Sequence, residues 1–272
     1  SEIEKVSNPF EIKHRIFREI LTMNEDDKLH QIELTTLADI PAGTGLGSSG
    51  AFTVCALKTI QMFNSEYSTN ESIAELACKV EIDRLKEPVG KQDQYASAIG
   101  GLTEFIFHKD DKVEFNRLPI DTSTLNNIQD SILMFFTGYS RSASSILSVQ
   151  DAKTSSDDQE MLYNLDAVKE MGLVSRSLLI NGDLQQLGLL IQDHWEKKLK
   201  RSPDMCSEEI QRFYQVGIDN GALGGKLVGA GGGGFLMFIA NDKVQLRKAM
   251  YSLGLQELRF NIDMLGVHVL QA

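Results

Sequence analysis

Apolar positions recur at helical spacing through Ile12, Ile16, Phe17, Ile20 and Leu21, directly after Asn8 and Pro9, a pair suited to cap a helix and open its first turn. One amphipathic helix is expected there. The period then changes: in residues 31–40, QIELTTLADI, the side chains of Ile32, Leu34, Ala38 and Ile40 fall on one side of an alternating segment, which predicts a strand leading into a glycine-rich turn. From Ser49 the helical period returns through Phe52, Leu57, Ile60 and Phe63, and a further helix is expected between STNES and about Leu85, followed by a loop, KEPVGKQDQ. GGLTEFIF and SILMFF read as short strands. The stretch from about residue 155 to 221 reads as helices broken at NGD and RSPDM, and GFLMFIA and LRFNIDMLGVHVL as late strands around one more helix. The mixture, without any internal repeat, predicts an α+β protein. A change of character near Asp151 divides it into a first part, residues 1–150, and a second, residues 151–272.

Composition narrows the classes of function. At 272 residues and 42% hydrophobic content the chain can bury a substantial core, and its net charge of −11, with no long block of Lys and Arg, argues against a nucleic-acid partner. Cys55, Cys78 and Cys206 are odd in number and far apart, which points to neither a disulfide framework nor a zinc cluster and fits a reducing, cytoplasmic setting. No segment approaches the ~20 consecutive apolar residues of a membrane span, and the opening SEIEKVSNPF lacks the apolar centre of a secretion signal. The histidines, His14, His30, His108, His194 and His268, show no ligand spacing.

The chemistry concentrates in residues 41–52, PAGTGLGSSGAF. A glycine-rich turn at a helix N-terminus offers unpaired amides and the positive end of a helix dipole to an anion, and phosphate is the natural guest. A tight connection capped by a serine is the plainer alternative. GLGSSG satisfies the dinucleotide-fold spacing, but the region about 20 residues on, NSEYSTNE, is no strand ending in an acid. The nearest downstream lysine, Lys58, lies too deep in the helix for a P-loop, and no protein-kinase elements follow.

This segment resembles the central phosphate-binding motif of the GHMP kinases. Residues 226–238, KLVGAGGGGFLMF, are similar to that superfamily's C-terminal glycine-rich motif. Residues 89–101, VGKQDQYASAIGG, together with TGYSRSAS and HWEKKLKRSP, resemble the branch acting on D-glycero-D-manno-heptose 7-phosphate. The resemblance implies a two-lobed fold with a ribosomal-protein-S5-like N-terminal lobe and a ferredoxin-like C-terminal lobe. Members of that branch carry a GGGTD-like stretch early in the chain; nothing similar precedes Ser1, so the opening strands are expected to be missing and the first lobe truncated at its start.

The implied activity is transfer of a γ-phosphoryl group from ATP to a sugar hydroxyl, with Mg²⁺ assisting. Such transfer needs in-line positioning and neutralisation of charge rather than covalent chemistry. Pro41, Gly43, Gly45, Leu46, Gly47, Ser48 and Ser49 are the candidate nucleotide-binding residues. Mg²⁺ favours hard oxygen ligands and keeps several waters, so a hydroxyl and a carboxylate suffice. Ser49 and Glu81 are the candidates, with Asp83 near enough to leave the acid unsettled and a merely solvated Glu81 as the alternative. By resemblance Asp93 aligns with the aspartate that accepts or orients the proton of the attacking hydroxyl; alternatively it caps the helix beginning at QYASAI. For the acceptor, Arg141, Lys197, Gly231, Gly232 and Gly233 are candidates, although glycines there also let a helix and a strand pack closely. The expected partners are ATP and a small sugar phosphate, with no nucleic acid and no membrane; a homodimer is left open. Another acceptor of the fucose, galactose or mevalonate type, or a truncated nucleotide-binding regulator, remain as alternatives.

Overall fold

In the computed structural model, which describes residues 3–23, 32–140, 159–201 and 205–270, Asn8 caps as expected, its side chain accepting from the Phe10 amide, but the turn it opens is a three-residue 3-10 helix, Pro9–Glu11. Ile12 is extended and ends it, and the amphipathic helix restarts as α1, Arg15–Met23, with Ile20 and Leu21 buried. The expected single helix is therefore two pieces. The break is stabilised by Glu4, whose carboxylate accepts from the Lys13 and His14 amides at 2.7 and 3.2 Å.

The chain falls into two compact units, and residues up to Pro41, Gly47–Thr103 and the tail from Asp263 make the first. Besides α1 it holds α2, Ser48–Phe63; α3, Asn70–Cys78, capped by Thr69; a π-helical run, Lys79–Arg84; and α4, Gln92–Ile99. Val54, Leu57 and Ile60 of α2 are buried with Ile73, Ala74 and Ala77 of α3 and Tyr95 and Ala98 of α4. The strand expected at QIELTTLADI is absent: residues 32–38 carry no regular structure, and Leu37 is 95% exposed. A strand exists only where a neighbour takes its backbone donors and acceptors, and no strand among the described residues lies beside this segment. The late strand expected at LRFNIDMLGVHVL is likewise missing beyond Leu258. Instead the tail docks on the end of α4, with the Gly101 amide donating to Asp263 O at 2.6 Å and the Val267 amide to Ala98 O at 3.1 Å.

The second unit comprises Ala42–Leu46 and Glu104–Ile262. A two-stranded sheet of β1, Thr103–Phe107, and β2, Val113–Arg117, precedes α5, Thr122–Ser131, and β3, Ile132–Phe136. Three helices follow: α6, Gln159–Asn181; α7, Leu184–Arg201; and α8, Glu208–Asp219. Then come β4, Ala222–Leu227; β5, Phe235–Ala240; α9, Lys243–Ser252; and the short β6, Gln256–Leu258. β4, β5, β3 and β6 lie in that order in an antiparallel sheet, with Leu133 opposite Phe238 and Phe135 opposite Leu236. These four side chains share a core with Trp195 of α7, Ile210 and Phe213 of α8 and Leu246 and Met250 of α9. The boundary expected near Asp151 lies outside the described residues.

β4, whose sequence is ALGGKL, carries no strand signature, and tertiary packing explains its glycines. A Cβ on Gly224 would stand 1.9 Å from the carbonyl oxygen of Gly188 in α7, and one on Gly225 would stand 2.5 Å from the Phe238 ring. All three cysteines are free thiols, Cys55 exposed and the other two buried. No helix among the described residues is long and apolar enough to cross a membrane.

Candidate functional site

Gly47 is the N-cap of α2 in a left-handed conformation, φ +68°, and no side chain caps the helix. No capping side chain therefore supplies an acceptor to the amides of its first turn, the arrangement an anion site needs. Gly43 and Gly45 are left-handed as well, so the loop alternates in hand at every second residue, the backbone habit of anion-binding concavities.

Within the same unit the Ser49 hydroxyl donates to Oε1 of Glu81, and the Gln94 amide donates to Oε2 of Glu81 at 2.6 Å. Glu81 is only 2% exposed, so it is no solvated helix residue, whereas Asp83 lies at the exposed surface. Glu81 continues the buried face of α3, four residues beyond Ala77 and three beyond Cys78, whereas Asp83 falls on the opposite side. Burial raises the Glu81 pKa from its ordinary value, opposed by the hydrogen bonds from Ser49 and Gln94 and reinforced by the charges of Asp93 and Glu87.

Asp93 sits in the first turn of α4, but Lys91 is the N-cap and no side chain caps that helix, so Asp93 is not the cap. It reaches solvent, yet the protein packed around it desolvates the carboxylate and raises its pKa. Two glycines of α2 make room for it. A Cβ on Gly47 would come within 3.1 Å of the Asp93 carboxyl carbon, and one on Gly50 within 3.0 Å of the Asp93 Cβ.

In the second unit, Ala42–Leu46 is laid against the loop of residues 228–234. A Cβ on Gly45 would meet Val228 O at 2.7 Å, and one on Gly229 would meet the Gly45 Cα at 2.6 Å. Thr44 is fully buried. The loop of the candidate acceptor glycines is stitched to its own protein: the Gly232 amide donates to Met205 O at 2.6 Å and, just beyond the candidates, the Gly234 amide to Tyr139 O at 2.8 Å, while the Thr137 amide and hydroxyl both donate to Gly234 O at 2.9 Å. The space beside Gly231 is taken by Met205 and that beside Gly233 by Tyr139. Gly234 is the tightest position of this loop, with φ +98° and a Cβ site 2.0 Å from Thr44 O. Gly234→Ala is expected to destabilise the protein by about 1–3 kcal/mol, read as a lower urea midpoint at unchanged slope; a parental midpoint would show that the loop yields freely.

Lys197 pairs with Asp193 at 2.9 Å on the surface of α7. Its neighbour Lys198 is the buried one, at 5% exposure, and its ammonium donates to Leu227 O at 3.2 Å and to Gly229 O. The sequence reading did not single out Lys198, although a signal for its burial was present: it lies three residues from the buried Trp195, on the same helix face. Gln94 was also missed. Arg141 lies outside the described residues.

Among the described residues no group of three or more His, Cys, Asp or Glu side chains is arranged to hold a metal. The Ser49 hydroxyl and Glu81 carboxylate, joined at an uncapped helix start, do fit Mg²⁺, which takes few protein oxygens and completes its shell with phosphate and water.

The fold agrees with comparisons to known proteins. Residues 14–101 match the family model for the GHMP kinases N terminal domain and residues 175–255 that for GHMP kinases C terminal, so the chain belongs to the GHMP kinase family. It is 31% identical to the D-glycero-alpha-D-manno-heptose 7-phosphate kinase of Campylobacter jejuni, over 80% of this chain and 64% of that protein. It is 29% identical to the L-fucokinase/L-fucose-1-P guanylyltransferase of Bacteroides fragilis over 80% of this chain and 23% of the larger protein. The chain thus spans just under two thirds of the Campylobacter relative and less than a quarter of the Bacteroides one. Among solved structures, a D-glycero-D-manno-heptose 1-phosphate kinase from Bacteroides thetaiotaomicron superposes with a TM-score of 0.66 at 24% identity, covering 91% of this chain and 70% of that one. The expected α+β class and GHMP kinase fold are therefore found.

Proposed function

We propose that the chain is an ATP-dependent sugar kinase, or its larger part, whose acceptor is D-glycero-D-manno-heptose 7-phosphate and whose product is the 1,7-bisphosphate, made in the cytoplasm for nucleotide-heptose and surface-polysaccharide synthesis. The observation that carries the reading is the uncapped start of α2, with Ser49 bonded to a buried Glu81 and Asp93 packed beside Gly47 and Gly50. The 31% identity to the Campylobacter heptose 7-phosphate kinase supports the acceptor.

In this reading the loop ending at Ser49 cradles the nucleotide's phosphates with backbone amides, which a protein of net charge −11 needs because its overall field repels ATP. Asp93 accepts the proton of the anomeric hydroxyl, whose oxygen bonds to the γ-phosphorus as the bond to the ADP oxygen breaks. Ser49 and Glu81 would hold Mg²⁺, which would neutralise phosphate charge.

The test is ADP release measured with a panel of sugars and sugar phosphates. Turnover is expected with the heptose 7-phosphate well above galactose, fucose and mevalonate. Preference for one of those would replace the acceptor, and nucleotide binding without turnover on any acceptor would overturn the kinase reading.

A further inference from the structure

Gln94 occupies an expensive position. At 2% exposure it is almost fully buried, its amide nitrogen is committed to Glu81 Oε2, and its own oxygen, Oε1, is buried without a hydrogen-bond partner. A glutamine in the first turn of a helix ordinarily turns back to the helix start or out to water. A buried amide with one end unpaired lowers stability, so packing alone gives no reason for a glutamine here; leucine would fill similar space without the orphaned oxygen.

The partner explains the choice. Glu81 receives two side-chain hydrogen bonds, one on each carboxylate oxygen: the Ser49 hydroxyl on Oε1 and the Gln94 amide on Oε2. Together they fix the plane of the carboxylate. A Ser49 hydroxyl that turns its oxygen toward a cation leaves the Gln94 amide as the remaining one of those two donors. Its donor is neutral, so it orients Glu81 without cancelling the negative charge that attracts a cation, as a lysine in its place would.

We propose that Gln94 is a positioning residue, which holds the Glu81 carboxylate in the orientation that receives the divalent cation accompanying the nucleotide. The inference rests on the kinase reading above. It is separable from that reading because it concerns how much Mg²⁺ improves nucleotide binding, which needs no turnover.

The experiment is calorimetric titration of a non-hydrolysable ATP analogue into the full chain, with and without Mg²⁺, for the parental protein, Gln94→Leu and Gln94→Asn. Leucine removes the donor at similar volume; asparagine keeps the amide but withdraws it by one methylene, and it carries the test where the leucine variant does not fold. In both, the Mg²⁺-dependent gain in affinity is expected to shrink about tenfold, the scale typical for groups that orient metal ligands, while affinity without Mg²⁺ stays parental. Combining either variant with Glu81→Gln is expected to give no further loss, because Gln94 acts through Glu81. Equal weakening with and without Mg²⁺ would make Gln94 a purely structural residue and overturn the inference, as would an undiminished Mg²⁺ gain. A parental protein that binds the analogue in neither condition would sink the kinase reading itself, and this inference with it.

Discussion

Asp93→Asn is expected to fold as the parental protein does and to lose turnover by about 10²- to 10⁴-fold, the contribution of a positioned general base. The fold should survive because Asp93 caps nothing: Lys91 holds the N-cap of α4, and no side chain bonds the free amides there. Asparagine also fits the space that Gly47 and Gly50 leave, being nearly the same size. The pH profile adds a second check. Desolvation raises the Asp93 pKa above the ordinary aspartate value of 3.8, and the base works only when deprotonated. Parental kcat/KM should therefore fall on the acid side, through a limb lying above that value. Glu81, raised in the same direction, also has to be deprotonated and stays in the asparagine variant, so the acid limb of its residual activity should be shallower, reporting one proton instead of two. Parental turnover in the variant would remove Asp93 from the chemistry; an acid limb of parental steepness would take Asp93 out of the pH dependence.

Glu81→Gln is expected to separate function from stability. Removing the charge deprives a cation of the carboxylate bonded to Ser49, and turnover should fall on the order of 10²-fold or more. Stability should move the other way at neutral pH. The Glu81 pKa is raised above its ordinary value of 4.5, chiefly by burial, so the folded protein holds that proton more tightly than the unfolded chain. The stabilisation is then complete below the ordinary value and is lost as pH rises through the raised one. Glutamine is uncharged throughout. It can accept from Ser49 and donate to the Gln94 Oε1 that is now unpaired, once that amide turns over. Melting temperatures measured from pH 5 to 8 should show the variant gaining on the parent as pH rises. Asp93 is coupled to Glu81 by charge, and losing the Glu81 charge eases its ionisation in the folded protein, which adds to the same trend. A gap that stays constant or closes with pH would refute the account.

Hydrophobic period located the helices well, since α2, α3 and the helices from Gln159 to Asp219 each bury one face, and the apolar runs SILMFF and GFLMFIA became β3 and β5 at the centre of the sheet. It failed where pairing or close approach decides. QIELTTLADI alternates like a strand but has no neighbour among the described residues, whereas ALGGKL lacks every strand signal and is one, because β5 pairs with it and α7 lies on it at Gly188.

The local chemistry of this chain was legible in its residues: the glycine turn before Ser49 reads as an open loop at a helix start, and the family resemblance narrows the acid and the aspartate to a few candidates. What decided among them was three-dimensional. Glu81 continues the buried face of α3 and Asp83 lies on the exposed one, and the packing of α4 on α2 brings Gln94 to Glu81 and Asp93 to Gly47. Contacts between helices are properties of the folded chain: the period within one helix says which residues turn inward, not which side chains meet there.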